Sequence, residues 1–495
     1  MAERQVLALD LGTSSVRALV FSGEGDAVPD AIARRSTRLE ISDDGRAELD
    51  PDEVVAAAGD CIVALAGRGR LRNVTDVGLS CAWHSVIGLD SAGSRVTGAL
   101  TWADTRAAGL VAELRRRADG ERLQAATGAR IHTTYWTVKI PWMARNLRPA
   151  PVGYLGLAEY VTGALLGERR ASISLASGTG LLELSSMGWL DEALELAGIG
   201  RDQVPGLLSP GWHGSLTGRA AARWPALAEA VWHPPIGDGA ASNLGAGCVT
   251  PDRVAINLGT SGAVRAVHTG AEPLTPQLWR YRVDHRRLVT GAAFSGAGNL
   301  YAWSKKVLAL PDDERVESAL DGVPPGSRGV VVLPFHAGSR APLDLGAGSG
   351  VIAGLSLATT QIEIVAASLE AVCFQLAGGV EELERTFGVP SGSIEVVASG
   401  GAIVGSPWWQ RTLANALARP VRVVDEPEAS ARGAALFALG ITKEPSTRHV
   451  VDPKPEAVEA ARAARAVYED LARKLGDEWT GAQVTATKQP EEGSR

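Results

Sequence analysis

Apolar and polar positions alternate from residue 6 onward. Val6, Ala8 and Asp10 fall on one side of an extended segment, and Leu7, Leu9 and Leu11 on the other. A period of two over so short a run predicts a buried strand with one polar end. Gly12 supplies a turn at little steric cost, and Val16, Ala18 and Val20 alternate as a returning strand. Further strands are predicted at 74–80, 86–90, 287–291, 329–333, 394–398 and 421–424. Between them the period lengthens. The clearest case is 361–387, where Val365, Leu369, Val372, Leu376, Val380 and Leu383 recur at threes and fours, the spacing of one helix face. Helices are also predicted at 104–118, 155–166, 298–309, 406–418 and 428–439. Strands interleaved with helices predict α/β domains.

The pattern occurs twice. Residues 7–20 read LALDLGTSSVRALV and residues 255–267 read AINLGTSGAVRAV. Each is a strand, then Leu-Gly-Thr-Ser, then a strand carrying Val-Arg-Ala. Gly259 repeats Gly12 about half a chain later, so two domains of similar length, each opening with a β-hairpin, are predicted. The boundary is placed in GAGCVTPD near 246–252, giving domains of 1–248 and 249–481 and a polar, frayed tail at 482–495.

Composition narrows the class. At 495 residues with 45% hydrophobic and 21% charged residues, the chain has the balance of a soluble globular protein. A net charge of −7 gives no basic footprint for nucleic acid or for an anionic membrane. Cys61, Cys81, Cys248 and Cys373 lie far apart with no CxxC pair, as expected of buried thiols in a reducing compartment. Asp10 interrupts the N-terminal apolar stretch before a signal core forms, and no run reaches about 18 apolar residues. A cytoplasmic location is the resulting expectation.

Candidate chemistry gathers at the turns. A tight Gly-Thr turn at a strand end presents backbone N–H groups and a hydroxyl, which favours an anion such as phosphate. Two copies would grip one polyphosphate from opposite sides. Asp10 in the first copy becomes Asn257 in the second, and one carboxylate beside phosphates suits a single Mg²⁺. A plain hairpin connection is the alternative. Asp238 lies between glycines in Pro-Ile-Gly-Asp-Gly-Ala. Such glycines leave room for a substrate and let the backbone bend, so Asp238 is a candidate base for a hydroxyl proton; Asp-Gly is also a common turn dipeptide. Ser-Gly-Gly-Ala at 399–402 follows a strand and precedes a helix, where nucleotides often sit. The small residues of Ala-Arg-Gly-Ala-Ala at 431–435 allow close packing or close ligand approach. His84 follows the strand at 74–80, within reach of sugar hydroxyls, with Trp83 beside it to stack; a satisfied core histidine is the alternative. Asp104 fits a helix cap.

Six ordered blocks between about 5 and 440 resemble the FGGY carbohydrate kinases, within the actin-like and hexokinase-like ATPase superfamily. They are Leu9–Arg17, Trp102-Ala-Asp-Thr-Arg106, Tyr135-Trp-Thr-Val-Lys139-Ile-Pro-Trp142, Gly350-Val-Ile-Ala-Gly354-Leu355 with Glu363-Ile-Val-Ala-Ala-Ser-Leu-Glu370, Ser399–Ala402, and Glu428–Ala435. The resemblance implies two ribonuclease-H-like domains with the active-site cleft between them. It implies Asp238 as general base and Asp10 as the residue organising Mg²⁺. It places Thr13, Ser14 and Arg17 at the first phosphate grip, Gly259 and Thr260 at the second, Gly298 on the nucleotide side, and Gly400 and Gly401 under the α-phosphate and adenosine. Trp83, His84, Tyr135, Asp238 and Gly239 fall at substrate positions. ATP and a small sugar, sugar acid or polyol are the implied partners, and a homodimer is left open. The chain departs from the family's Met-His with Trp83-His84, and from its Gly-Glu-Arg with Gly338-Ser339-Arg340.

Gly259-Thr-Ser-Gly-Ala-Val-Arg265, with the blocks at 102–106 and 135–139, looks most like gluconate kinases. Gluconate is therefore the leading substrate, with xylulose, ribulose, glycerol and erythritol as alternatives. A carboxylate would need a cation or N–H donors, which sequence alone does not place. Two other classes remain: a non-catalytic sugar-binding regulator, and an actin-like or chaperone-like ATPase that moves a protein partner.

Overall fold

Two sheets of the same topology carry the chain, in a computed structural model that describes residues 4–270, 272–335 and 350–479. In the first, strand Gln5–Leu11 pairs antiparallel with Ser15–Ser22, which pairs antiparallel with Ala27–Ser36; on its other side Gln5–Leu11 runs parallel to Val74–Cys81, and that strand runs parallel to Val231–Trp232 and Ile236–Gly237. In the second, Arg253–Leu258, Gly262–His268 and Leu288–Phe294 form the antiparallel triplet, and Glu395–Ser399 and Val421–Val424 the parallel extension. This is the ribonuclease-H-like arrangement expected of each half.

The alternation seen at 6–11 distributes side chains between two layers. Leu7, Leu9 and Leu11 pack with Val54, Ile62 and Leu65 of helix Pro51–Gly67. Val6 and Ala8 face Ala431, Ala434 and Ala435 of helix Ala429–Leu439. That helix lies in the chain between strands Val421–Val424 and Thr447–Val451 of the second sheet, yet it packs on the first. Its small residues are spent on contact: a Cβ at Gly433 would collide with the Ala241 carbonyl, and one at Gly78 with the Ala434 carbonyl. Helix Gln361–Phe387 buries Val365, Leu369, Val372 and Leu376 against Val254, Ile256 and Phe294 of the second sheet. A Thr360–Glu363 capping box starts it, and Gly388 at φ 64° ends it. It is long and apolar enough to cross a membrane, but its apolar window is 83% buried in the core.

Two local expectations change. The helix predicted from 104 begins at Ala108, because Asp104 is buried and engaged with the Ala47 N–H (3.1 Å) and the Arg106 guanidinium, not with a helix end. The predicted strand at 86–90 is limited to Ile87–Leu89. Gly338-Ser339-Arg340 and the tail at 482–495 lie outside the described residues.

Candidate active site

Asp238 owes its position to a strand-to-helix junction. Gly237 pairs with Cys81 in the first sheet, and the chain then turns directly into helix Asp238–Gly245. The carboxylate sits in the first turn, where the helix dipole favours a negative charge. Its Oδ1 accepts from the Gly239 N–H at 2.9 Å and from the Trp83 N–H at 3.4 Å. Burial pushes its pKa up, while the Arg265 charge and these N–H groups pull it down.

The flanking glycines serve a different end from the one expected. Neither has positive φ, so no unusual bend is needed. The room they leave is filled by Trp83: a Cβ at Gly237 or Gly239 would overlap its indole. Trp83 is 4% exposed and donates from Nε1 to the Ser174 carbonyl at 2.9 Å. It is a packed wall beside the carboxylate.

Asp238, Gly239, Trp83, His84 and Tyr135 line one chamber, as the resemblance implied. His84 holds φ 73°, and its Nδ1 lies 2.6 Å from the Gly178 carbonyl, which fixes the ring. Positive φ at a non-glycine residue is uncommon and here sits at the site. Tyr135 caps the start of helix Trp136–Asn146, and its hydroxyl is 2.5 Å from that of Tyr281. Tyr281 and Trp279 stack at 4.5 Å with 12° between their planes, and Tyr281 meets Trp83 edge-on at 4.9 Å. Both belong to strand Trp279–Arg282 on the edge of the second sheet. The chamber is thus closed by aromatics from both halves.

Sequence reading missed Trp279 and Tyr281, although aromatics two apart in a strand share a face. It also missed Arg130, His132 and Arg265, which line the same chamber. Arg130 and His132 stand just before the Tyr135 block, and Arg265 lies within the second Gly-Thr motif, so each was adjacent to a signal already read. Asp238 is the sole acid among the described lining residues.

The proposed phosphate grips lie at the ends of the two first strands. Thr13 is half-buried, with its hydroxyl accepting from Trp102 Nε1 at 3.3 Å; Ser14, Thr260 and Gly401 are exposed. Ser261 and Gly262 of the second turn line the same chamber as Asp238. Gly298 donates its N–H to the Gly259 carbonyl at 3.0 Å, and a Cβ there would stand 2.5 Å from that oxygen. Gly400 holds φ 101° against the Leu258 backbone, so the loop at 399–402 abuts the second turn. Asp10 is buried with a pKa raised to about 6 by burial, with Arg17 at 3.7 Å opposing the shift. Arg17 also pairs with Glu428 at 2.7 Å. No cluster of three or more His, Cys, Asp or Glu residues suited to a metal occurs among the described residues. Asp10 alone still fits Mg²⁺, which commonly takes one or two carboxylates and completes its shell with water and phosphates.

Paired ribonuclease-H-like sheets, with a lone carboxylate in the cleft and a glycine-threonine turn from each, define a two-domain sugar kinase. Family models of the same description match both halves: the FGGY family of carbohydrate kinases, N-terminal domain, over residues 5–245, and its C-terminal domain over 254–440. The chain belongs to the FGGY family of carbohydrate kinases. It is 27% identical to a gluconokinase of Bacillus licheniformis, covering 96% of this chain and 97% of that one. It is 30% identical to glycerol kinase 1 of Pseudomonas aeruginosa, over 88% of this chain and 89% of that one. Among solved structures, a gluconate kinase from Lactobacillus acidophilus superposes with a TM-score of 0.87 at 22% identity, covering 97% of this chain and 99% of that one.

Proposed function

We propose that this ATP-dependent carbohydrate kinase phosphorylates a sugar acid, with gluconate as the favoured acceptor. The observation that carries the reading is the charge of the acceptor chamber: Arg130 and Arg265 line it, with Asp238 as the sole acid among its described lining residues, in a protein that is acidic overall. An acceptor carboxylate gains from these two guanidinium charges, whereas a neutral ketose or polyol gains far less. The relation to gluconokinases over nearly the whole chain supports the same choice.

In this reading the acceptor hydroxyl lies against Asp238, which takes its proton as the oxygen attacks the γ-phosphorus and the bond to the ADP oxygen breaks. Burial raises the proton affinity of Asp238, and Arg265 with the Gly239 N–H keeps the carboxylate available as a base. Thr13, Ser14 and Arg17 hold the triphosphate from one side, and Gly259 and Thr260 from the other. Gly298 and Gly400 let their helix and loop abut the second turn, and Gly401, with open space beside it, gives the nucleotide close backbone approach. Asp10 would hold Mg²⁺, which supplies charge neutralisation for the transferring phosphoryl group. Trp83, Tyr135 and Tyr281 exclude water from the acceptor.

An ADP-release assay across gluconate, other aldonic acids, xylulose, ribulose, glycerol and erythritol tests the reading. Gluconate should give the highest kcat/KM. A higher value for a neutral ketose or polyol would replace the acid by that acceptor. Acceptor-independent turnover would point to an ATPase acting on a protein, and sugar binding without turnover to a regulator.

A further inference from the structure

We infer that Arg265 is the specificity-determining residue that recognises the acceptor's carboxylate. This rests on the sugar-acid reading above and names the group responsible. Arg265 lies on strand Gly262–His268 of the second sheet and reaches the acceptor chamber of the first half. Its Nη1 is buried and has no hydrogen-bond partner, the one such atom among the described residues lining the chamber. Its carbonyl is engaged by the Asn243 amide at 3.0 Å, so the backbone is fixed while the guanidinium end is unsatisfied. No ion pair within 4.0 Å joins it to Asp238 among the described residues, although the two charges act on each other. A buried donor without an acceptor is costly, and more so when charged. The cost is recovered when an anion arrives, and a carboxylate matches a guanidinium with two parallel N–H···O bonds.

Two features favour a substrate carboxylate over an ATP phosphate as that anion. Arg265 shares its chamber with Trp83, Tyr135 and Tyr281, which are walls for an organic acceptor. It also lies beyond the turn that serves the phosphates: Arg265 pairs across the ladder with Ala255, two residues farther from the turn than Asn257. At about 3.4 Å per residue this is about 7 Å along the strand.

The test compares gluconate with glucitol, which carries a hydroxymethyl group in place of the carboxylate. KM and kcat for gluconate, and the inhibition constant of glucitol against it, are measured for the wild type, Arg265→Gln and Arg265→Lys. Arg265→Gln should raise KM for gluconate about 10- to 150-fold, the worth of a hydrogen bond to a charged group. The fall in kcat should be smaller, and glucitol inhibition should change less than about threefold; Arg265→Lys should recover part of the gluconate affinity. Gluconate binding without nucleotide, read from tryptophan fluorescence, should weaken in parallel. A wild type that rejects gluconate overturns the sugar-acid reading and this inference with it. A wild type that uses gluconate, with Arg265→Gln unchanged in KM or weakened equally for glucitol, overturns the inference alone. If Arg265→Gln does not fold, Arg265→Lys decides: an unchanged ratio of gluconate to glucitol affinity overturns it.

Discussion

The first hairpin sets Arg17 directly across the ladder from Asp10, and the second sets Arg265 across from Ala255, one pleat beyond Asn257. The two motifs share Leu-Gly-Thr-Ser and Val-Arg-Ala, but the second has one more residue between Gly259 and its arginine and a loop one residue tighter. A shift of one would have turned the arginine to the opposite face of the sheet. A shift of two keeps the face and moves the charge along the strand. Arg17 therefore pairs with Asp10 and Glu428 beside the first turn, and Arg265 reaches the chamber of the other half, where its charge acts on Asp238 without an ion pair. One duplicated motif thus places one arginine beside the first turn and another in the chamber that holds Asp238.

The comparison is tested most severely at the carboxylate Arg265 faces. Asp238→Asn should lower kcat by about 10²–10⁴, the usual worth of a general base. Nucleotide binding, followed by calorimetry with ADP, should stay within a few-fold; normal turnover would remove Asp238 from that role. Next is the arginine of the first hairpin. Arg17→Gln should raise KM for ATP about 10- to 100-fold, through loss of a charge-assisted phosphate contact, and change KM for gluconate far less. The opposite split would exchange the roles of the two arginines.

Asp10 gives a pH-dependent difference. Its folded pKa is raised to about 6, above the ordinary carboxylate value, so the folded state binds its proton more tightly than the unfolded chain does. The burden on stability is absent below about pH 4, grows between pH 4 and 6, and is complete above that. Asp10→Asn should then stabilise the metal-free protein by on the order of 2–3 kcal/mol at pH 8 and by only about 1 kcal/mol at pH 4.5. Urea unfolding at the two pH values checks this; equal effects at both would remove the burial penalty as the cause. The smallest effect is expected where the halves meet. Tyr281→Phe removes the hydroxyl bonded to Tyr135 and should cost ~1 kcal/mol in stability, with kcat/KM for gluconate reduced only a few-fold. A loss as large as that from Arg17→Gln would make the tyrosine pair part of the acceptor site itself.

Glycine 298 shows how a residue named by resemblance acquires a physical reason. A side chain there would stand 2.5 Å from the Gly259 carbonyl, so the glycine lets helix Gly298–Val307 approach the second turn. The glycines beside Asp238 show the reverse. Their identity was visible, but the indole that requires them comes from residue 83, far away in the chain.

The order of the strands, the long helix at 361–387 and the duplication were legible because each is written in local periodicity. Short-range spacing decides which face a side chain takes, and repeated motifs disclose repeated hairpins. The chamber was less legible. Its Trp83, Tyr135 and Asp238 come from one half and its Arg265, Trp279 and Tyr281 from the other. The packing of helix Ala429–Leu439 on the sheet of the opposite half was also hidden, since alanine and glycine at close spacing suit a ligand or another helix equally well. Amino-acid order determined which elements form and which residue types they carry. Only the tertiary structure decided which charges face each other, because the distance between groups on different sheets depends on how the sheets dock and not on their separation along the chain.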